Sequence, residues 1–584
     1  MKNEVRNCQN CKSDFTIETE DFNFYQKMQV PPPTWCPDCR LERRLAWRNE
    51  RVLFRRTDSI TGKTLLAGFP QDVPFPIYER NYWWSDEWDP LQYGRDFDPS
   101  RPFLEQLKEL MHTVPWPSRS VMFETNSEYT DQAGHLKNCY LCFNADYCEN
   151  CLYLVRANTT KDTLDSLQVQ NSELCYDSVL INKSFRMFYS FDCDGSSDMH
   201  FSKQCVGCNH CFGCVGLRKK SYHIWNQPYS KEEYEKKLKE MNLGSRASIE
   251  ALKAEARRFW LKFPCKYYRG IRNIDSSGDM LIDTKNAKQC YWVTNAKDVR
   301  YCQDLYIQSE DCYDYTVWAN HGTRIYECLT CGEEVQNLKF CFDCWPACRD
   351  LEYSVGCHST SDCFGCVGLK KKQYCILNKQ YSKEEYEKIR EQIIAQMKEI
   401  PYVNEKGIEY RYGEFLPTEF SPFAYNETML LDAFPLTKEE AIKKGYRWRD
   451  PDRKEYQTTL KAAELPDAIN ETKEEITKEI LECAKCKKAY RIVAPELAFH
   501  KRLEIPLSDI CQDCRHAERF TLLNSPRYFS RACMCAGEAD ATGVYKNTAT
   551  HSHAGQCPSK FETAYTPDRP EIIYCEECYQ KETT

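Results

Sequence analysis

Between roughly residues 135 and 400, aromatic or apolar positions recur every 10 to 14 residues or so, with Asn, Asp, Ser and Gly between them. In the first part they sit near Tyr140, Tyr153, Leu164, Tyr176, Tyr189, Phe201, Phe212 and Tyr222. In the second they sit near Tyr291, Tyr301, Tyr313, Tyr326, Phe340, Tyr353, Phe364 and Tyr374. Short strands at even spacing with turn residues between them predict a repetitive β architecture. A parallel β-solenoid fits best, because each coil stacks on the last and buries a narrow continuous core. An antiparallel sandwich is the alternative; the lack of regularly spaced Asn-Gly or Asp-Gly turns weighs against it.

The pattern is duplicated. Cys211-Phe212-Gly213-Cys214-Val215-Gly216-Leu217 returns as Cys363-Phe364-Gly365-Cys366-Val367-Gly368-Leu369, and Asn226 as Asn378. Each copy ends in a capping box, Ser230 to Glu233 and Ser382 to Glu385, which predicts a helix that closes the repeat. A longer helix is expected from about 248 to 262, ahead of Pro264. Upstream, Thr61-Gly62-Lys63 suggests a hairpin, and a helix is expected from Ser100 to about His112. Tyr82-Trp83-Trp84, Trp88, Tyr93 and Phe97 read as a packing collar, because the acids around them would repel phosphate from a base-stacking platform. Downstream, Thr437 caps a helix to Lys444, and a further helix is expected over about 468–481.

The expected layout is therefore mainly β with helical caps: a duplicated parallel β-solenoid-like centre flanked by two modules of paired cysteines. Its segments are 1–56 (first paired-cysteine module and basic helix), 57–134 (collar), 135–263 and 264–400 (the two repeats), 401–481 (connector), 482–525 (second paired-cysteine module) and 526–584 (a Cys/His module).

Composition changes the picture at one point, the 36 cysteines in 584 residues. The opening residues carry no apolar signal segment, and no apolar run is long enough to span a membrane, so a cytoplasmic protein with reduced or metal-bound thiols is expected. Cys8, Cys11, Cys36 and Cys39 form two C-x2-C pairs, the pattern that closes tetrahedrally on one Zn2+. The module recurs 475 positions later as Cys483, Cys486, Cys511 and Cys514, with Arg515 and Arg519 at the positions of Arg40 and Arg44. In the tail, His553, Cys557, Cys575 and Cys578 make a candidate third site; His551 and Cys535 are rivals for the fourth ligand, and Cys533 lies nearby. About three structural Zn2+ sites follow. Within the repeats, cysteines in register, such as Cys139 with Cys290 and Cys205 with Cys357, suit small core residues best. Extra zinc, or an iron–sulfur cluster on Cys205, Cys208, Cys211 and Cys214, remain alternatives.

Net charge is −8, so nucleic-acid binding would need a local basic patch. One is expected on a helix running to about Phe54, where Arg40, Arg44, Arg48, Arg51 and Arg55 fall within about 80° of one face at 3.6 residues per turn. A run of arginines more often reads as a ladder paired to carboxylates elsewhere in this acidic chain; guanidinium forks also suit phosphate, so nucleic-acid contact is the functional reading. No His-Glu-x-x-His, nucleophile elbow or phosphate loop is present, so no enzymatic activity is expected.

Pro31-Pro32-Pro33-Thr34-Trp35-Cys36-Pro37-Asp38-Cys39-Arg40, with Cys8, Cys11 and Phe24-Tyr25 upstream, resembles the small zinc-ribbon domain of many bacterial proteins. Phe561 through Arg569-Pro570 to Tyr574-Cys575 and Cys578-Tyr579 is similar to another short bacterial zinc-binding motif. The whole chain resembles the large bacterial proteins that carry such ribbons at both ends. The resemblance implies zinc and no catalysis. The functional expectation is a non-enzymatic zinc-binding scaffold that binds nucleic acid, such as RNA, or a ribonucleoprotein such as the ribosome through the basic helix, with self-assembly into a homo-oligomer by solenoid stacking as the alternative and a metalloenzyme as the third reading.

Overall fold

A computed structural model of the protein describes residues 2–318, 321–327, 329–332, 335–450 and 456–583. The chain divides into two compact units: residues 1–119, 268–449 and 525–529 form one, and residues 120–267, 450–524 and 530–584 the other. Each unit contains one solenoid repeat and one ribbon. The expected connector, 401–481, falls partly in each unit and includes 451–455, which lie outside the described residues.

The first repeat is a parallel β-solenoid with a strict 12-residue rung. Phe143 pairs with Val155, Val155 with Leu167, Leu167 with Val179 and Val179 with Phe191, all parallel. Within a rung the chain follows a triplet. From Gln132 to Trp225 every third residue adopts a left-handed backbone, for example Asn138 (φ 54°), Asn150 (φ 54°), Asp165 (φ 54°) and Gly207 (φ 63°). Between Leu136 and Cys214 the residue after each left-handed corner points inward. From Leu136 to Cys214, every third residue in the series Leu136, Cys139, Cys142, Ala145 and onward is buried. Twelve residues with one inward position in three leave four inward side chains per rung. An interior that small admits Cys, Ser, Thr, Ala and single larger aliphatics, which explains the composition.

Serines do more than fill this space. The Ser190 hydroxyl donates to the Phe188 carbonyl (3.0 Å) and accepts from the Ser202 amide of the next rung (3.2 Å). Ser178 serves Ser190 in the same way (3.1 Å), so the amides that the corners leave out of the strand ladder are satisfied from inside. The thiols act as weak donors to rung carbonyls, as Cys142 does to Cys151 O (3.3 Å). Burial pushes the Cys175 thiol up to about 12, so it stays protonated.

The second repeat follows the same rule with a variable rung. Leu281 pairs with Val293 at 12 residues, Ala296 with Ser309 at 13, and Ser361 with Gln373 at 12 again. The last rung of each repeat is closed alike. Ser221–Ile224 and Gln373–Ile376 each pair antiparallel with a short return strand. The Asn226 side chain receives the Val215 amide (2.8 Å) and donates to its carbonyl (3.0 Å), and Asn378 does the same for Val367 (2.8 and 2.8 Å). The duplicated glycine is steric: a Cβ on Gly213 would lie 2.3 Å from the Trp225 ring, and one on Gly365 would lie 2.4 Å from Phe103. The expected capping boxes follow, with Ser230 heading helix Lys231–Glu240 and Ser382 heading Lys383–Glu399.

The rung at Val121–Met122 already belongs to the first solenoid, so the collar is shorter than expected. Its hairpin, Phe54–Thr57 with Thr64–Ala67, and its helix, Phe103–Met111, form as expected. Its aromatics pack on the second repeat: Trp84 meets His358 at 4.4 Å between ring centres, and Phe103 meets Phe364 at 5.0 Å. The helix expected over 468–481 is replaced by two short 3-10 turns, Ile469–Glu471 and Glu474–Lys478. Closely spaced acids, four between Glu471 and Glu479, leave that segment little apolar face to bury as a continuous helix.

Candidate metal centres and the arginine clasp

In the first ribbon, hairpin Glu4–Asn7/Asp14–Ile17 carries one cysteine pair, and the second sits at the start of helix Pro37–Leu45. Pro37 occupies the first helical position, where its missing amide costs nothing. Cys8, Cys11, Cys36 and Cys39 converge with all four sulfurs within 4.8 Å of one another. Cys11 and Cys36 are 3.8 Å apart, the Cys36 amide donates to Cys8 Sγ (3.2 Å), and Asn10 donates to Cys39 Sγ (3.3 Å). The second ribbon repeats the arrangement. Cys483 and Cys514 are 3.8 Å apart, Cys486 and Cys511 are 3.6 Å apart, and the Cys511 amide donates to Cys483 Sγ (3.2 Å). A tetrahedron with metal–sulfur bonds of about 2.3 Å has edges of about 3.8 Å, so both clusters have the size of one ion. Burial works against ionising Cys483, but the amides of Cys486 and Cys511 outweigh it and bring that thiol down to about 7.

The third cluster differs from the expected set. Cys557, Cys575 and Cys578 are joined by Cys533, not by His553. Cys557 lies 3.8 Å from Cys578 and 4.0 Å from Cys575, and the Cys575 amide donates to Cys533 Sγ (3.2 Å). Cys533 directly follows strand Phe529–Ala532 and precedes the other three cysteines by more than twenty residues, so local spacing favoured the nearer His553. His553 instead stands in an adjoining group with Cys535 and His551 that also includes Cys578. Among the described residues, the groups compact enough to surround an ion are these terminal ones. Cys205, Cys208, Cys211 and Cys214 occupy the four inward positions of one rung and donate to rung carbonyls, as Cys208 does to Leu217 O (3.3 Å).

The basic helix requires a correction. It ends at Leu45, so Arg48, Arg51 and Arg55 are not on it. Arg40, Arg44 and Arg48 are 1 %, 0 % and 5 % exposed, which removes them from any phosphate-binding surface. Arg40 and Arg44 both pair with the buried Asp314, at 3.0 and 2.8 Å. Arg43 grips Glu327 (2.7 Å) and Glu414 (2.9 Å). Arg48 pairs with Glu50 (3.1 Å) and donates to Thr330 (2.7 Å). Arg51 is partly exposed and pairs with Asp432 (3.2 Å); Arg55 is exposed. Burial raises the Glu327 carboxyl to about 7 against the pull of Arg43.

The second ribbon makes the same clasp on the first repeat. Arg515 and Arg519 both pair with the buried Asp165, at 2.8 and 3.1 Å. Arg519 also reaches Asp177 (3.1 Å), whose carboxyl, despite burial, is held down to about 2 by Lys253 and Arg519. The surroundings correspond one to one. Arg515 lies over the Tyr153 ring (5.0 Å) and Tyr153 donates to Glu496 (2.8 Å); Arg40 lies over Tyr301 (5.0 Å) and Tyr301 donates to Asp21 (3.1 Å). In both ribbons the first arginine also donates to the carbonyl five residues back, Trp35 (2.9 Å) or Ile510 (3.2 Å). Compared with known families and curated proteins, the chain matches no family model and no curated sequence.

Proposed function

We propose that this protein is a non-enzymatic scaffold in which zinc at the terminal cysteine clusters keeps each ribbon in the shape that clasps a solenoid flank. The observation that carries the reading is the repeated clasp, Arg40 and Arg44 on Asp314 and Arg515 and Arg519 on Asp165. Each pair of arginines projects from the helix whose first turn supplies two sulfur donors, so the ion and the clasp share one rigid element. Four protein donors per site is the structural pattern rather than the catalytic one, and an all-sulfur set favours zinc among common divalent ions. Free thiols throughout the described rungs suit a reducing compartment such as the cytoplasm.

With Arg40, Arg44 and Arg48 engaged inside the fold, an RNA or ribosome partner has lost the cations that motivated it. End-to-end self-assembly is disfavoured at the C-terminal rung of each repeat, where a return strand and a capped helix cover the edge. The test is removal of metal by a strong chelator under reducing conditions. Zinc should leave in stoichiometric amounts, and both solenoid repeats should become markedly more protease-sensitive. Metal-free protein whose repeats resist protease as before would overturn the proposal.

A further inference from the structure

The adjoining group in the C-terminal module belongs to no ribbon pattern. It comprises Cys535, His551, His553 and Cys578, whose donor atoms also lie within 4.8 Å of one another. Cys578 is therefore common to two tetrads. We propose that the module holds two divalent ions of the zinc class, one on Cys533, Cys557 and Cys575, the other on Cys535, His551 and His553, bridged by the Cys578 thiolate. The proposal rests on reading the cysteine clusters as metal sites, and adds a fourth ion to the three that reading requires.

Both imidazoles are set as ligands by partners on their far side. His553 Nδ1 lies 2.6 Å from the Gly555 carbonyl. A carbonyl only accepts, so Nδ1 carries the proton and Nε2 is left with a lone pair, 3.3 Å from Cys578 Sγ. His551 Nε2 faces the Glu582 carboxylate at 2.9 Å, which puts the proton on Nε2 and the lone pair on Nδ1. The His551 side chain is fully buried, and that Nδ1 has no hydrogen-bond partner. A buried acceptor without a donor is costly unless a cation takes the lone pair. Glu582 is itself fixed by Tyr545 Oη (2.9 Å) and the Thr548 amide (2.8 Å), the outer support typical of a carboxylate–histidine–metal unit. Asn547 donates to Cys535 Sγ (3.2 Å), as Asn10 donates to Cys39 in the first ribbon.

Charge favours the pair of ions. Four thiolates on one divalent ion carry a net charge of about −2, and most of these sulfurs are buried. The second ion brings two positive charges and one further thiolate, so the joint centre carries about −1. Sharing a sulfur is also what lets five cysteines and two histidines complete two tetrahedra.

The experiment is metal counting on the full chain, purified under reducing conditions without chelator. Four zinc ions per chain are expected, falling to three in Cys535→Ala and in His551→Ala. Glu582→Gln keeps the packing but weakens the His551 support, and should lower affinity for the last ion by roughly 10- to 100-fold. In cobalt(II)-substituted protein the thiolate bridge should couple two ions magnetically, and His551→Ala should abolish that coupling while the all-sulfur absorption remains. Three ions in the unaltered chain, with Cys535→Ala unchanged, would overturn this inference and leave the scaffold reading intact. Four ions without magnetic coupling would overturn the bridge. Absence of bound metal altogether would remove both proposals.

Discussion

Asp165 and Asp314 are the residues on which the two clasps turn. Each sits at a left-handed corner of its rung, is buried, and faces two arginines from one ribbon helix. Removing one partner from such a cluster leaves uncompensated charge, at about 3–5 kcal/mol. Asp165→Asn, nearly equal in volume, should therefore cost about that much in urea or thermal unfolding of its unit, and Asp314→Asn a similar amount in the other. A loss below about 1 kcal/mol in both would mean that the arginines are held by their other contacts. The arginines themselves were legible: only Arg40 and Arg44 recur in the second ribbon, as Arg515 and Arg519. Which way they face was not. A helical stripe of arginines has the same period whether it meets water or a buried carboxylate, and Asp314, 274 residues from Arg40, reads as an ordinary turn residue.

The rung explains why the solenoid could be read from its aromatics while its inner logic stayed hidden. Aromatic clusters mark the 12-residue period because they recur once per rung on the flank. The inward positions recur every three residues, which matches neither the period of 2 of a strand nor 3.6 of a helix. The corner position holds Asn, Asp or Gly often enough to hint at a left-handed backbone, yet Tyr153, Leu174, Lys183 and Arg186 occupy it too, supported by the ladder above and below. The cysteine run from Cys205 to Cys214 carries the triplet openly, but its spacing also resembles a metal motif, and only the closed rung separates the two. Ser190 tests the rule. Ser190→Cys should shift stability by less than about 1 kcal/mol, because a thiol is the commonest alternative inside the rungs. Ser190→Ala should cost about 1–3 kcal/mol by leaving the Ser202 amide unsatisfied. Ser190→Leu should cost about 1–3 kcal/mol or more by overfilling a four-residue interior. Equal tolerance of all three in chemical denaturation would mean that the interior is not close-packed.

At the scale of the whole chain, sequence order and partnership run opposite to each other. The ribbon at the N-terminus clasps the second repeat, and the ribbon near the C-terminus clasps the first. Chain proximity would assign each ribbon to its neighbouring repeat, and nothing in the cysteine spacing corrects that, because both ribbons carry the same arginines and both repeats carry the same aspartate. The exchange has a measurable consequence. Cys36→Ser removes a sulfur from the first candidate metal cluster, and on the proposed scaffold reading helix Pro37–Leu45 then loses the anchor that aims Arg40 and Arg44. Hydrogen exchange should then accelerate in the rungs around Tyr301 to Leu329, about 260 residues away, while the rungs from Phe143 to Phe191 keep the protection of the unaltered protein. Cys511→Ser should do the reverse. Local fluctuations reach as far as the contacts they disrupt, so a ribbon that merely decorated its own end of the chain would change exchange only near itself. If Cys36→Ser instead loosened the rungs from Phe143 to Phe191, or loosened both repeats equally, the ion would not be acting through the arginine clasp.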